Sequence, residues 1–135
     1  MNERAGILGM PSAYFVDPTG LKVENTGTVA DVSILARYAW RNSLLKKLSS
    51  LKEVRVVSSG NRLHKIKNTN RLLHEPKNFL ITASKTGYLE EAGYNVAMQV
   101  KLKNNHEYLL VLMNAPSLEE RAADTLKIVN WLESL

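Results

Sequence analysis

Between residues 94 and 102 every second residue is apolar, and this alternation constrains the fold more than any other stretch. The apolar positions are Tyr94, Val96, Met98, Val100 and Leu102. Successive side chains of a β-strand point to opposite faces of the sheet. The alternation therefore predicts a strand that buries one face against a core.

Four other stretches also have the composition of strands. Val54–Val57 and Leu63–Ile66 flank Ser58-Ser59-Gly60-Asn61, whose Gly-Asn pair is typical of a tight hairpin connection. Phe79–Thr86 predicts a strand, and the continuous apolar run Tyr108–Met113 predicts a central strand covered on both faces. The strands therefore form an antiparallel meander of about three strands plus a hairpin.

Capping sequences mark two helices. Thr28-Val29-Ala30-Asp31 begins an amphipathic stretch to about residue 41, and Ser117-Leu118-Glu119-Glu120 begins a final amphipathic helix able to cover the sheet. Short helices are predicted over residues 1–9 and 43–48. Trp40 and Trp131 lie on apolar helical faces, which favours places in the core. We expect an α+β fold, an antiparallel sheet covered by helices, in a single domain over residues 1–135.

Composition excludes several classes of site. The chain has no cysteine, which excludes disulfides, thiol catalysis and cysteine-ligated zinc. His64, His74 and His106 lack the spacing of paired ligands, so we expect neither a metal nor another cofactor. No run of 18 apolar residues occurs, so no transmembrane segment is expected. Residues 1–4 lack the pattern of a secretory signal.

The net charge of +5 favours anionic partners. Much of it comes from one region: Arg62, His64, Lys65, Lys67, Arg71 and Lys77. These residues partly alternate with Leu63 and Ile66, as on the solvated face of a strand. A solvated face and a surface for a polyanion both fit this pattern, and no nucleic-acid partner is expected.

The motif Lys85-Thr86-Gly87 closes the apolar run that begins at Phe79. A strand that presents an ammonium, a hydroxyl and bare backbone can offer a carbonyl substrate charge, hydrogen bonds and close approach. Lys-Thr-Gly is also one of three motifs of penicillin-binding proteins and serine β-lactamases. Three letters alone are weakly specific, so the flanking sequence decides.

With its flanks, the sequence resembles the D-alanyl-D-alanine carboxypeptidase and endopeptidase family of low-mass penicillin-binding proteins. The matching segments are Met1–Glu3, Leu8–Met10, Asp17–Leu21, Thr28–Leu35, Asn68–Leu73 and Ala92–Asn95. They span nearly the whole chain. The resemblance implies a β-lactamase/transpeptidase-like fold of which residues 1–135 form the C-terminal portion.

The resemblance also implies roles for individual residues. Lys85 would supply positive charge and help move protons, and Thr86 would hydrogen-bond the terminal carboxylate of the substrate. Gly87 would let the substrate backbone lie against the strand, and the backbone N–H of Tyr88 would form half of an oxyanion hole.

Thr69 and Asn70 are the other predicted substrate-binding residues. Some family members carry an arginine carboxylate anchor where Thr69 stands, and Arg71 could replace it only if the loop bends. Asn70 could instead tie this loop to neighbouring backbone.

The family's nucleophile is absent from the matched segments. It belongs to a Ser-x-x-Lys helix, followed by Ser-x-Asn, and both precede the segment that matches Met1. Literal copies do occur: Ser43-Leu44-Leu45-Lys46, Ser49-Ser50-Leu51-Lys52 and Ser59-Gly60-Asn61. In the family, the loop matched by the early segments of this chain comes after both motifs, whereas each of these copies follows that loop. We therefore predict no nucleophile in this chain.

Two functional hypotheses follow. The first is the C-terminal part of a serine-type D-Ala-D-Ala carboxypeptidase of the cell envelope, inactive alone, with peptidoglycan stem peptide or a β-lactam as ligand. The second is a stand-alone, non-catalytic module that binds wall peptide or a polyanion. Uncovered apolar surface and a free sheet edge would promote self-association or binding of a complementing N-terminal segment.

Overall fold

The computed structural model describes residues 1–135 as four α-helices and five β-strands. The helices are α1 (Asn2–Leu8), α2 (Val29–Ala39), α3 (Ser43–Ser50) and α4 (Leu118–Glu133). The strands are β1 (Glu53–Val57), β2 (Leu63–Lys67), β3 (Leu80–Leu89), β4 (Gly93–Lys101) and β5 (Glu107–Ala115). The predicted α+β class, with a three-stranded meander and a hairpin, is confirmed.

The larger sheet is antiparallel and has the order β3-β4-β5. The alternation predicted for residues 94–102 is confirmed, since Val96, Met98 and Val100 are buried in β4. The prediction that Tyr108–Met113 is a central strand is wrong, because β4 lies between β3 and β5. Its continuous apolar character has another cause: both α2 and α4 pack on β5.

The main core lies between this sheet and α4. Val129 and Leu132 of α4 join Met98, Val100 and Leu110 of the sheet in one cluster of buried apolar residues. Ser117 caps the helix by accepting a hydrogen bond from the backbone N–H of Glu120. The amphipathic helix predicted after Ser117 is therefore confirmed.

Trp131 does not belong to this core. Its side chain is 60% exposed, whereas Val129 and Leu132 are 0% and 8% exposed. A step of one residue along an α-helix rotates a side chain by about 100°. Trp131 therefore lies off the stripe that faces the sheet, and its predicted place in the core is wrong.

The N-terminal helices mostly follow the predicted capping. Gly9, with φ of 77°, ends α1 in the left-handed conformation. Thr28 and Asp31 form the predicted capping box at the start of α2. The helix ends at Ala39 rather than near residue 41, and Leu35 on its apolar face is 38% exposed. None of the four helices has the length and apolar composition needed to cross a membrane.

Strands β1 and β2 form a separate two-stranded sheet. Its connection spans residues 58–62, where the backbone N–H of Ser58 donates to the carbonyl of Arg62. The left-handed position is Asn61, with φ of 56°, and not Gly60. The predicted hairpin is confirmed, although its turn is wider than a two-residue connection. The connection between β2 and β3 contains one 3₁₀ turn, Arg71–Leu73.

Candidate active site

Lys85-Thr86-Gly87 lies inside β3 rather than at its end. Lys85, Thr86 and Gly87 pair with residues of β4, and the ladder continues through Tyr88 to Leu89. The expectation that the strand ends by Thr86 is therefore wrong, because β4 supplies partners up to the turn at residues 90–92. As β3 is an edge strand, its other side has no strand partner and is open to a ligand in extended conformation.

A groove of about 580 Å³ runs along this edge. Its walls come from β3, β4, the loop before α2, the loop after the hairpin and the start of α4. The lining residues are Thr19, Gly20, Leu21, Thr69, Lys85, Thr86, Gly87, Tyr88, Tyr94, Leu118 and Arg121. The structure thus brings together five of the six predicted site residues, all except Asn70.

Thr86 and Thr69 contact each other in the groove. Their hydroxyl oxygens are 2.5 Å apart, within hydrogen-bonding distance. Thr69 is positioned by a local turn, in which the Asn68 side chain accepts a hydrogen bond from the Asn70 N–H at 2.9 Å. One hydroxyl proton is used between the two threonines, so the pair has one hydroxyl proton left to donate to an anionic oxygen.

Asn70 is 2% exposed and does not line the groove. Its side-chain oxygen accepts a hydrogen bond from the Leu72 N–H at 3.2 Å and begins the 3₁₀ turn. Arg71 points elsewhere, since its guanidinium donates to Glu119 at 2.5 Å. In this arrangement Asn70 shapes the loop, and Arg71 does not stand in for an arginine at position 69.

Lys85 and Gly87 supply charge and open space. The Lys85 side chain is exposed, and its ammonium donates a hydrogen bond to the backbone carbonyl of Thr86. A Cβ placed on Gly87 would meet no atom within 4 Å. The space beside the strand at this position is therefore available to a ligand backbone.

Tyr88 and Tyr94 form an aromatic wall at one end of the groove. Their ring centroids are 4.3 Å apart, with an angle of 31° between the planes. The neighbouring Tyr94, followed by partial burial, raises the pKa of the Tyr88 hydroxyl above its ordinary value. Tyr88 therefore stays a neutral hydrogen-bond donor at physiological pH.

Arg121 is a second cation of the groove that the sequence analysis missed. It is 5% exposed, and its guanidinium donates to the backbone carbonyl of Asn95 at 3.1 Å. Burial lowers the pKa of Arg121, although its side chain remains protonated. It forms no ion pair, so a desolvated positive charge lies uncompensated beside the groove.

The sequence did contain a signal for Arg121. It stands three residues after Leu118 and four before Thr125, which is the spacing of one helical face. An arginine on the stripe that faces the sheet is costly unless its charge has a use. The groove-lining residues include two cations, Lys85 and Arg121, and no carboxylate. The site therefore attracts an anionic group.

Thr19, Gly20 and Leu21 belong to the matched segment Asp17–Leu21, but no site role was predicted for them. Asp17 holds this loop by accepting a hydrogen bond from the Thr19 N–H at 2.9 Å, and Gly20 has φ of 76°. Hydrogen bonds, first from the Thr19 hydroxyl and then from Asn25, lower the pKa of Asp17 to about 2. The match of this segment to the family did not show that its loop faces the site, because that contact depends on tertiary packing.

The literal serine motifs lie outside the groove. Ser43 is the first residue of α3, and Lys46 is 3.9 Å from Glu107 on β5. Ser49 donates its hydroxyl proton to the carbonyl of Lys46 within the same helix. Ser59 lies in the exposed turn of the hairpin. No serine lines the groove beside Lys85.

Two solved structures show the class of fold to which this groove belongs. Penicillin-binding protein D2 from Listeria monocytogenes, in its cefotaxime-bound form, superposes with a TM-score of 0.76 at 25% identity, over 96% of this chain and 51% of that one. Penicillin-binding protein 5 from Haemophilus influenzae has a TM-score of 0.81 at 25% identity, over 96% of this chain and 37% of that one. The fold is that of the penicillin-binding proteins.

Sequence comparison defines the family more narrowly. Residues 1–117 match the profile of the S11 peptidases, described as D-alanyl-D-alanine carboxypeptidase, and the chain belongs to this family. D-alanyl-D-alanine endopeptidase from Escherichia coli is 33% identical over 135 residues, which cover 99% of this chain and 43% of that protein. The chain thus spans less than half the length of this relative.

Proposed function

We propose that residues 1–135 form the C-terminal portion of the catalytic domain of a serine-type D-Ala-D-Ala carboxypeptidase that acts on peptidoglycan peptides. One observation carries the proposal. Five predicted site residues, Lys85, Thr86, Gly87, Tyr88 and Thr69, line one groove whose charged residues are all cationic. Such a groove suits a peptide that ends in a carboxylate.

Each groove residue then has a role. The Thr86 and Thr69 hydroxyls and the Arg121 guanidinium bind the terminal carboxylate, and Gly87 admits the peptide backbone along β3. Lys85 places positive charge beside the carbonyl under attack and assists proton transfer. The backbone N–H of Tyr88 contributes to the oxyanion hole.

The nucleophilic serine comes from a segment that corresponds to the part of the relatives preceding the matched region. An apolar groove of about 390 Å³ lies next to the active-site groove and shares Thr19 and Gly20 with it. Met1, Leu8, Phe15 and Leu35 are among its lining residues. Covering them would remove apolar surface from water, so this groove is the docking site of the complementing segment.

Fluorescent penicillin tests this assignment. The 135-residue chain alone forms no covalent adduct, whereas mixing it with the preceding segment of the E. coli relative restores labelling of the serine in that segment. Thr86→Val in the mixture lowers the labelling rate by roughly 10- to 1,000-fold, because it removes a hydroxyl that binds the β-lactam carboxylate. Thr82→Val, a half-buried threonine of the same strand outside the groove, is the matched control.

A stable adduct on Ser43, Ser49 or Ser59 of the chain alone would overturn the proposal. So would equal labelling rates of the Thr86→Val and Thr82→Val mixtures. Sedimentation of the chain alone shows whether it self-associates, as a free apolar groove would promote, or stays monomeric. Action on peptidoglycan places the proposed enzyme in the cell envelope, with β-lactams as competing ligands.

A further inference from the structure

The β1–β2 hairpin accounts for most of the chain's charge imbalance. The formal net charge of the whole chain is +5, and residues 52–67 contain five lysines and arginines but only one acid. That acid, Glu53, is already paired with Lys65 at 3.0 Å. The remainder of the chain is almost neutral, so the positive field is concentrated on one projecting element.

The strand register places three of these cations and two apolar side chains on the same face. Arg55 pairs with Lys65 and Val57 pairs with Leu63, and directly opposite residues of an antiparallel pair project from one face. Val57 and Leu63 are each 61% exposed. We call these residues the basic hairpin face: Arg55, Val57, Leu63, Lys65 and Lys67. Glu53, directly opposite Lys67, lies on the same face.

The combination of charge and apolar tip separates two kinds of anionic partner. A soluble anionic polymer would engage the cations but would leave Val57 and Leu63 in water. An anionic bilayer engages both, because cations meet the lipid headgroups while apolar side chains enter the interface. We propose that the basic hairpin face docks on the surface of an anionic phospholipid membrane.

This docking goes beyond the proposed function, since it involves none of the groove residues. It nevertheless fixes where the groove lies. Lys67 ends β2, and Thr69, two residues later, contacts Thr86 of the active-site groove at 2.5 Å. A hairpin held at the membrane therefore keeps the groove close to the bilayer surface.

Vesicle sedimentation tests the proposal with the whole chain. Binding is measured to phosphatidylcholine vesicles with and without about 30% phosphatidylglycerol, which sets the negative surface potential. We expect binding to the anionic vesicles only. Arg55→Glu with Lys67→Glu lowers the partition coefficient at least about 20-fold, since each cation near the surface contributes roughly fivefold.

Two further variants serve as controls. One tests whether the position of the charges matters beyond the net charge, and the other tests whether apolar insertion contributes beyond charge. Lys22→Glu with Lys103→Glu changes the net charge equally, but both residues are exposed and lie outside the hairpin. We expect less than about a threefold loss, because distant charges are screened. Val57→Ser with Leu63→Ser lowers binding about tenfold and leaves its salt dependence unchanged. Amide spectra of β1 and β2 verify that each variant keeps its strand pairing.

Equal losses in the two charge variants would overturn the proposal, as would equal binding to neutral vesicles. If the Val57→Ser, Leu63→Ser variant binds like the parent and soluble polyphosphate competes fully, the partner is a soluble polyanion and the membrane proposal fails. Spin-labelled lipid should broaden the amide signals of residues 57–63 first. None of these measurements uses penicillin labelling, so their failure is distinguishable from failure of the proposed enzyme function.

Discussion

Both sheets of this molecule are antiparallel, but one is covered by helices and the other is exposed to solvent. The β3-β4-β5 sheet is covered by α4, and Val100 and Met98 at its centre are 0% and 1% exposed. Every residue of β2 is exposed. Packing holds the first sheet rigidly enough to position a groove, whereas the hairpin is held mainly by its own ladder and presents its side chains outward.

The largest difference should appear when one side chain is truncated in each sheet. Met98→Ala leaves a cavity in the core and is expected to lower the free energy of unfolding by about 2–5 kcal/mol. Ile66→Ala in the hairpin, where the side chain is 54% exposed, should cost less than about 1 kcal/mol. Urea unfolding measures both. Similar losses would show that the hairpin is packed against other surface in solution.

The turns of the two sheets offer a second contrast. Gly93 has φ of 63°, and a Cβ there would lie 2.7 Å from the Asn114 side-chain oxygen and 2.9 Å from the Ala115 carbonyl. Gly93→Ala should therefore cost about 1–3 kcal/mol. Gly60→Ala in the hairpin turn meets nothing within 4 Å and should be nearly neutral. Thermal unfolding compares them, and equal melting temperatures would contradict the described turn at Gly93.

The smallest expected effect is on the stability of the protein at low pH. The folded pKa of Asp17 is about 2, below its ordinary value of 3.8, so its contribution to stability is present above about pH 4 and disappears as the pH falls towards 2. Asp17→Asn should flatten that decline. Glu53→Gln in the hairpin removes an exposed pair and should change only nearby amide signals.

Titration of the Thr19 amide signal measures the Asp17 effect directly, since this N–H donates to the carboxylate. A midpoint near pH 4 would contradict the hydrogen-bonded loop beside the groove. The Glu53→Gln variant is the control, because its residue lies outside both the loop and the groove.

Periodicity and capping were enough to predict most elements. The alternation around Met98 identified β4, and Thr28 with Asp31 identified the start of α2. Strand order could not be predicted in the same way. An apolar run such as Tyr108–Met113 indicates burial on two faces. Helices can cover an edge strand as well as a central one, so the run does not give the position of the strand in the sheet.

The site was predictable where the matched family segments contain its residues, as in the tripeptide motif and at Thr69. Lys85, Thr86 and Gly87 are adjacent, and their motif identified them. Thr19 and Arg121 reach the same groove from a loop and a helix far along the chain, and their contacts depend on tertiary packing. Trp131 shows the related difficulty that one step around a helix separates the core from solvent.

Arg121 has two separate properties that disfavour its substitution. It ties the start of α4 to the carbonyl of Asn95, the residue opposite Gly87 in the ladder, and it also leaves a positive charge at the groove. Substitutions there will lower cellular abundance before any ligand is present. A variant screen scored on protein level alone would classify Arg121 as structural, and the same screen with a bound anion would show the partial rescue that identifies its second role.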